Sequence, residues 1–182
     1  NPDYALACVK TAYEAGARWV VLCDTNGGTQ PAEIRKIVGA VMASGVPGSH
    51  LGIHAHNDTG QAVANSLAAV EAGVRQIQGT LNGIGERCGN ANLVTIIPTL
   101  VLKPVYADRF EIGISAEQLE GLTKFSHAFD ELLNRAPDMQ APYVGASAFA
   151  TKAGIHASAI LKDPQTYEHV PPESVGNERS VM

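Results

Sequence analysis

Two histidines separated by one small residue, His54-Ala55-His56, are the sharpest chemical signal in the chain. In extended backbone, side chains at i and i+2 point to one face, so both imidazoles can converge on one ion. The plainer reading puts one histidine in a core and the other at a solvated strand end. Their position at a strand's carboxyl end, with Asn57-Asp58 following at once, weighs towards a metal. The second signal is Gly83-Ile84-Gly85-Glu86-Arg87-Cys88-Gly89-Asn90, polar and, through its glycines, open to unusual backbone angles. The Asn90 amide oxygen can join the two histidines. An N₂O set of that kind suits Mn²⁺, Mg²⁺, Zn²⁺ or Co²⁺ rather than a thiolate-selective ion. Asn90 has a competing use as N-cap of the helix that follows, and Glu86 has one as a surface ion pair with Arg87. Asp24-Thr25-Asn26-Gly27 offers substrate contacts or, more plainly, an Asx-type turn. His156 stands alone among small residues and by itself reads as structural, as do His50, His127 and His169. Cys88 lies beside the second signal, and nothing marks it as a nucleophile.

Three strand-then-helix units must position these groups. A helical opening, Asp3 to Glu14, leads into Arg18 to Asp24, a short apolar run that reads as a buried parallel strand. Pro31 and Glu33 mark the start of a helix running to about Ser44-Gly45. His50 to His56 is the second predicted strand and Gln61 to Ala72 its helix. Arg75 to Thr80 is the third, and a helix over Ala91 to Leu102 follows its Gly-rich loop. Such alternation indicates a parallel sheet. No GxGxxG follows a strand, and polar residues stand at each carboxyl end, which favours a (β/α)8 barrel over a doubly wound sheet. A whole barrel takes roughly 250 residues and eight strands. The fold class is therefore α/β, the C-terminal portion of a (β/α)8 TIM barrel with about three parallel strands and their helices. From Ser115 the composition changes. Apolar residues at helical spacing predict one helix over Glu117 to Asn134, inside a small helical subdomain. The expected division is a partial-barrel catalytic domain at 1–114 and a helical linker subdomain, cut short, at 115–182.

The chain has 182 residues, 45 % hydrophobic and 17 % charged, enough to bury a sizeable core. A net charge of −5 and a pI near 5.6 argue against nucleic-acid or anionic-membrane partners. No apolar run approaches the roughly 18 residues needed to cross a bilayer. Three cysteines without CxxC spacing suit a reducing compartment, and a cytoplasmic location is expected. The start at Asn1, without Met or signal pattern, leads to the expectation of a piece of a longer chain.

Taken in order, DTNG, HAHNDTG, NGIGERCGN, GASAFATKAGIH and TYEHVPPESVGN closely resemble the DRE-TIM metallolyase superfamily. Within it the match is to the acyl-CoA-condensing synthases of citramalate, 2-isopropylmalate and homocitrate. LCDTNGGTQP, GTLNGIGERCGNANL and KAGIHASAI look most like the citramalate synthase branch. Related lyases share HxH and a later Asn but carry a Gly-Cys-Pro loop where this chain has GERCGN. The resemblance implies a divalent metal held by His54, His56 and Asn90, with Glu86 in the acid/base network. Thr25 would contact a 2-oxo acid, with Asp24 and Asn57 beside it, and His156 is the implied base towards the acetyl methyl group. The implied reaction is an acyl transfer: acetyl-CoA condenses with a 2-oxo acid, pyruvate favoured, with CoA release, in branched-chain amino-acid biosynthesis. A homodimer is implied for the full-length protein. The family's Arg-Asp pair on the first strand has no counterpart here, so the isolated piece is expected to be inactive. A carbon–carbon lyase on the same scaffold and a non-catalytic metal-binding fragment are the alternatives.

Overall fold

A computed structural model describes residues 1–181. The chain packs as two compact units, Asn1–Leu93 and Val94–Met182.

In the first unit, helix α1 (Pro2–Glu14) is opened by Asn1, whose side chain accepts from the amides of Asp3 and Tyr4. Such a cap satisfies donors that no helical carbonyl reaches. Strand β1 (Val20–Asp24) follows. Helix α2 (Pro31–Ala43) starts with a capping box between Gln30 and Glu33 and with Pro31 at a position that needs no N–H. Strand β2 (Leu51–Ala55), helix α3 (Ala62–Ala72) and strand β3 (Gln76–Gln78) complete the series. The sheet order is β1-β2-β3 with both pairings parallel, so Cys23, His54 and Gln78 stand level across it.

Alternation sorts the strand residues between two faces. Val20, Leu51 and Ile53 pack with Ile34, Val38 and Val41 of α2 and with Ala68 and Ala69 of α3. That layer is the core of the unit, and Leu51 is wholly buried within it. Burying one such side chain is worth about 1.5–3 kcal/mol. Gly52, His54, Gln76 and Gln78 take the opposite face, the one that lines the inside when such a sheet curls into a barrel.

Strand β1 starts at Val20 rather than Arg18 and β2 is Leu51–Ala55 rather than His50 to His56, and two further expected boundaries shift for one reason. The third strand ends at Gln78 rather than Thr80, and the next helix, α4 (Leu93–Leu102), starts two residues later than Ala91. Past Gln78 the chain pairs with the 91–93 segment instead of β2. The Thr80 amide donates to the Ala91 carbonyl at 3.0 Å, and the Leu93 amide donates to the Thr80 carbonyl at 3.0 Å. Residues 90–92 are thus tied into extended backbone and cannot join the helix.

The second unit takes in all but the first residue of α4, then α5 (Pro104–Ala107), α6 (Ala116–Leu119), α7 (Leu122–Leu132), β4 (Ala150–Thr151), α8 (Gly154–Lys162) and β5 (Ser180–Val181). The single helix expected over Glu117 to Asn134 is two, broken at Glu120-Gly121. Leu119 and Leu122 are buried, whereas Phe125 and Leu132 are exposed, so the apolar spacing does not form one continuous buried stripe. Ser115 and Gln118 cap α6 reciprocally, and Gly121 lowers the local propensity to continue. The unit is helical, as expected, and adds a parallel pairing of β4 with β5. Its interior is fastened by Asn177, which donates to the carbonyls of Tyr143 and Gly145, and by a 2.9 Å contact between the Tyr143 and Thr99 hydroxyls. Among the described residues, no helix is long and apolar enough to cross a membrane.

Candidate functional site

The loops leaving the carboxyl ends of β1, β2 and β3 are knitted together by backbone hydrogen bonds. The His56 amide donates to the Asp24 carbonyl, the Asn57 amide to Gly89 and the Ala91 amide to Ala55. Asn90 is thereby held opposite His56, in an isolated antiparallel bridge. Gly89 makes this fold-back possible. It has φ +89°, and a Cβ there would collide with the Gly83 carbonyl.

Within this frame the His54 and His56 rings lie 5.2 Å apart between centroids. The Asn90 amide nitrogen is 3.1 Å from His54 Nε2, and the Gln78 amide oxygen is 3.2 Å from His54 Nδ1. His56 Nδ1 is buried and has no hydrogen-bond partner among the described residues. An unmatched buried nitrogen beside a second imidazole and a buried amide suits a cation better than a dry core. No group of three His, Cys, Asp or Glu side chains converges among the described residues. An ion here would draw on two imidazoles and on the Asn90 amide oxygen, which would turn from its place beside Gly85 towards His54, a set that fits a divalent cation of borderline or hard character. The N-cap use weighed for Asn90 is not seen, because its side chain meets His54 and α4 begins at Leu93.

The other expected residues are placed as follows. Asp24 is buried and faces the helix layer. Its carboxylate accepts from the Thr29 hydroxyl at 2.8 Å, from the Thr29 amide at 3.3 Å and from the Asn65 amide at 3.5 Å. Asn57 accepts from the Ala62 amide at the start of α3. Thr25 is exposed at the loop tip. The Glu86 side chain is 85 % exposed and meets Arg87 Nη1 at 3.7 Å. His156 is in the second unit, on α8, its ring 4.4 Å from that of Tyr167. The structure therefore gathers His54, His56 and Asn90, sets Thr25, Asn57 and Glu86 on the surrounding loops, and turns Asp24 inward.

Two residues with clear partners here were not singled out from the sequence as site residues. Gln78 is one, and the alternation in Arg75-Gln76-Ile77-Gln78, which sets both glutamines on one face, was the available signal. Arg87 is the other. Its Nε and Nη2 grip the two oxygens of Asp58 at 2.8 and 3.0 Å, and Nη2 also donates to the Thr25 carbonyl at 2.8 Å. One guanidinium so fastens the loops after all three strands. Its hydrogen bonds hold the Asp58 carboxyl below the usual carboxylate range.

Residues 1–121 match the HMGL-like family model, and residues 143–182 match one described as homocitrate synthase post-HMGL domain-like. The chain is 56 % identical, over 188 residues, to the (R)-citramalate synthase of Synechocystis sp., covering 100 % of this chain and 34 % of that protein. It is 53 % identical to the (R)-citramalate synthase of Aquifex aeolicus, covering 100 % of this chain and 33 % of that one. The solved hydroxymethylglutaryl-CoA lyase of Pseudomonas aeruginosa shares the fold with a TM-score of 0.61 at 21 % identity, over 75 % of this chain and 44 % of the lyase. The chain spans about a third of the length of the curated relatives it matches. Its parallel strands and their helices are a partial TIM barrel, as the strand pattern predicts.

Proposed function

The chain belongs to the HMGL-like family, and from that premise we propose that it carries part of the active site of an enzyme condensing acetyl-CoA with a 2-oxo acid. Pyruvate is the favoured acceptor and citramalate the product, in line with relatives 46–56 % identical that bear the name (R)-citramalate synthase. The observation that carries the reading is the meeting of His54, His56 and the Asn90 amide at the carboxyl end of the sheet.

In this reading His54, His56 and Asn90 hold a divalent cation, which when bound supplies Lewis acidity to the acceptor's carbonyl. The exposed hydroxyl of Thr25 contacts the acceptor's carboxylate at the loop tip, and Asn57 keeps the neighbouring loop in register. His156 takes the proton from the acetyl methyl group, giving the carbon nucleophile that joins the acceptor carbonyl carbon. Glu86 takes part in the acid/base network beside the cation, and water then cleaves the thioester to release CoA. The full-length enzyme pairs as a homodimer and serves branched-chain amino-acid synthesis.

The test is free-thiol release by the complete gene product given acetyl-CoA, Mn²⁺ and either pyruvate or a 2-oxo acid of longer side chain. Thiol release that depends on pyruvate supports the reading, and release with no 2-oxo acid dependence ends it. Glu86→Gln in the same protein separates proton transfer from a surface pair. A role in proton transfer predicts a turnover loss of about a hundredfold with the fold intact. A surface pair predicts a change of only about 0–1 kcal/mol in stability, and unchanged turnover would return Glu86 to that role.

A further inference from the structure

We infer that Gln78 is a positioning residue that sets the tautomer of His54, keeping the proton on Nδ1 and the lone pair on Nε2, the nitrogen turned towards Asn90. The inference rests on the reading of His54 as a cation ligand and adds to it a residue from the neighbouring strand.

A neutral imidazole carries one N–H and one lone pair, and which nitrogen bears which is decided by its partners. Register puts Gln78 level with His54 on the same face of the sheet. Its amide oxygen, 3.2 Å from Nδ1, can only accept, so Nδ1 must donate. On the far side of the ring the Asn90 amide nitrogen, 3.1 Å from Nε2, can only donate, so Nε2 must accept. The two contacts come from the end of β3 and from the loop that follows it, yet they demand the same tautomer. With both amides reversed, the opposite tautomer would be equally consistent, so the direction of the Asn90 amide matters. In that direction Asn90 Oδ1 points into the space left by the bare Cα of Gly85, and the amide nitrogen is the atom that faces His54. A hydrogen bond to the far nitrogen also orients the ring, which is how residues outside a metal's own ligands tune its affinity.

The test uses the complete gene product with ¹⁵N-labelled histidine, in the wild type, Gln78→Leu and Gln78→Glu. Gln78→Leu removes the acceptor, and Gln78→Glu keeps one. Without cation, His54 in the wild type and in Gln78→Glu is expected as the Nδ1–H form, and in Gln78→Leu that preference is lost. Mn²⁺ affinity, read from the spectrum of the free ion, is expected to fall about 10–100-fold in Gln78→Leu and to be restored in Gln78→Glu. A wild type in the Nε2–H form overturns the inference, even if neither variant folds. So does a Gln78→Leu protein with wild-type tautomer and affinity. Wild-type protein that shows the Nδ1–H form but binds no Mn²⁺ would instead sink the ligand reading, leaving the tautomer assignment standing.

Discussion

His56→Ala in the complete gene product is expected to abolish cation-dependent condensation, with bound Mn²⁺ falling to background while the circular dichroism spectrum stays that of the wild type. Two imidazoles and one amide are the ligands this chain supplies, and His56→Ala removes one of its two imidazole donors. Where the cation supplies about 4 kcal/mol of charge stabilisation in the transition state, turnover falls about a thousandfold. His50→Ala is the control. His50 precedes β2 and His56 follows it, about 20 Å apart at the rise of an extended strand, and His50 packs edge-on to the Tyr13 ring at 5.0 Å between centroids. Its loss should lower stability by about 1 kcal/mol and leave Mn²⁺ binding alone. Equal metal content in wild type and His56→Ala would remove His56 from the ligand set.

A methyl group at position 85 should be nearly as damaging as losing a ligand. Gly85 does not need a left-handed backbone, so alanine can adopt its conformation, but its Cβ would occupy the place of Asn90 Oδ1. The carboxamide must shift, and the group that would join the two imidazoles as a ligand is displaced with it. Gly85→Ala is expected to weaken Mn²⁺ binding about 10–100-fold, the range seen when a group that orients a metal ligand is lost, as measured by titration. Gly39 lies in α2 with open space around its Cα, so Gly39→Ala should keep full affinity and raise stability by about 0.5–1 kcal/mol. A Gly85→Ala protein that binds Mn²⁺ as tightly as Gly39→Ala would show that Asn90 is not needed there.

Much of this was legible in the residues because it rests on short-range pattern. The HxH pair declares its shared face through the period of an extended chain, and the parallel sheet follows from strands and helices in alternation. Pro31 and Glu33 announce the start of α2 four residues around its first turn, and the structure bears them out with a capping box. Arg87 was legible only in part, and the pairing with Glu86 that its neighbour suggests is present at 3.7 Å. Its neighbour Glu86 was the obvious partner, yet the guanidinium spends its strongest bonds on Asp58 and Thr25, 29 and 62 positions away.

The sequence by itself determined the order of elements through α4, the face shared by His54 and His56 and the family, because each is written in spacing or in motif order along one stretch of chain. Only the tertiary structure decided which groups are already occupied. Asp24 reads as one more polar residue at a strand end, and it is turned inward because Thr29 and Asn65 meet its carboxylate across the top of α3. Gln78 and Gln76 are equivalent in the strand pattern, and parallel register alone brings Gln78 level with His54. The start of α4 depends on where the 90–92 backbone finds its hydrogen bonds, and those partners are Ala55, Thr80 and Gly83. Every buried N–H and C=O must be matched, and the match is made across the fold rather than along the chain.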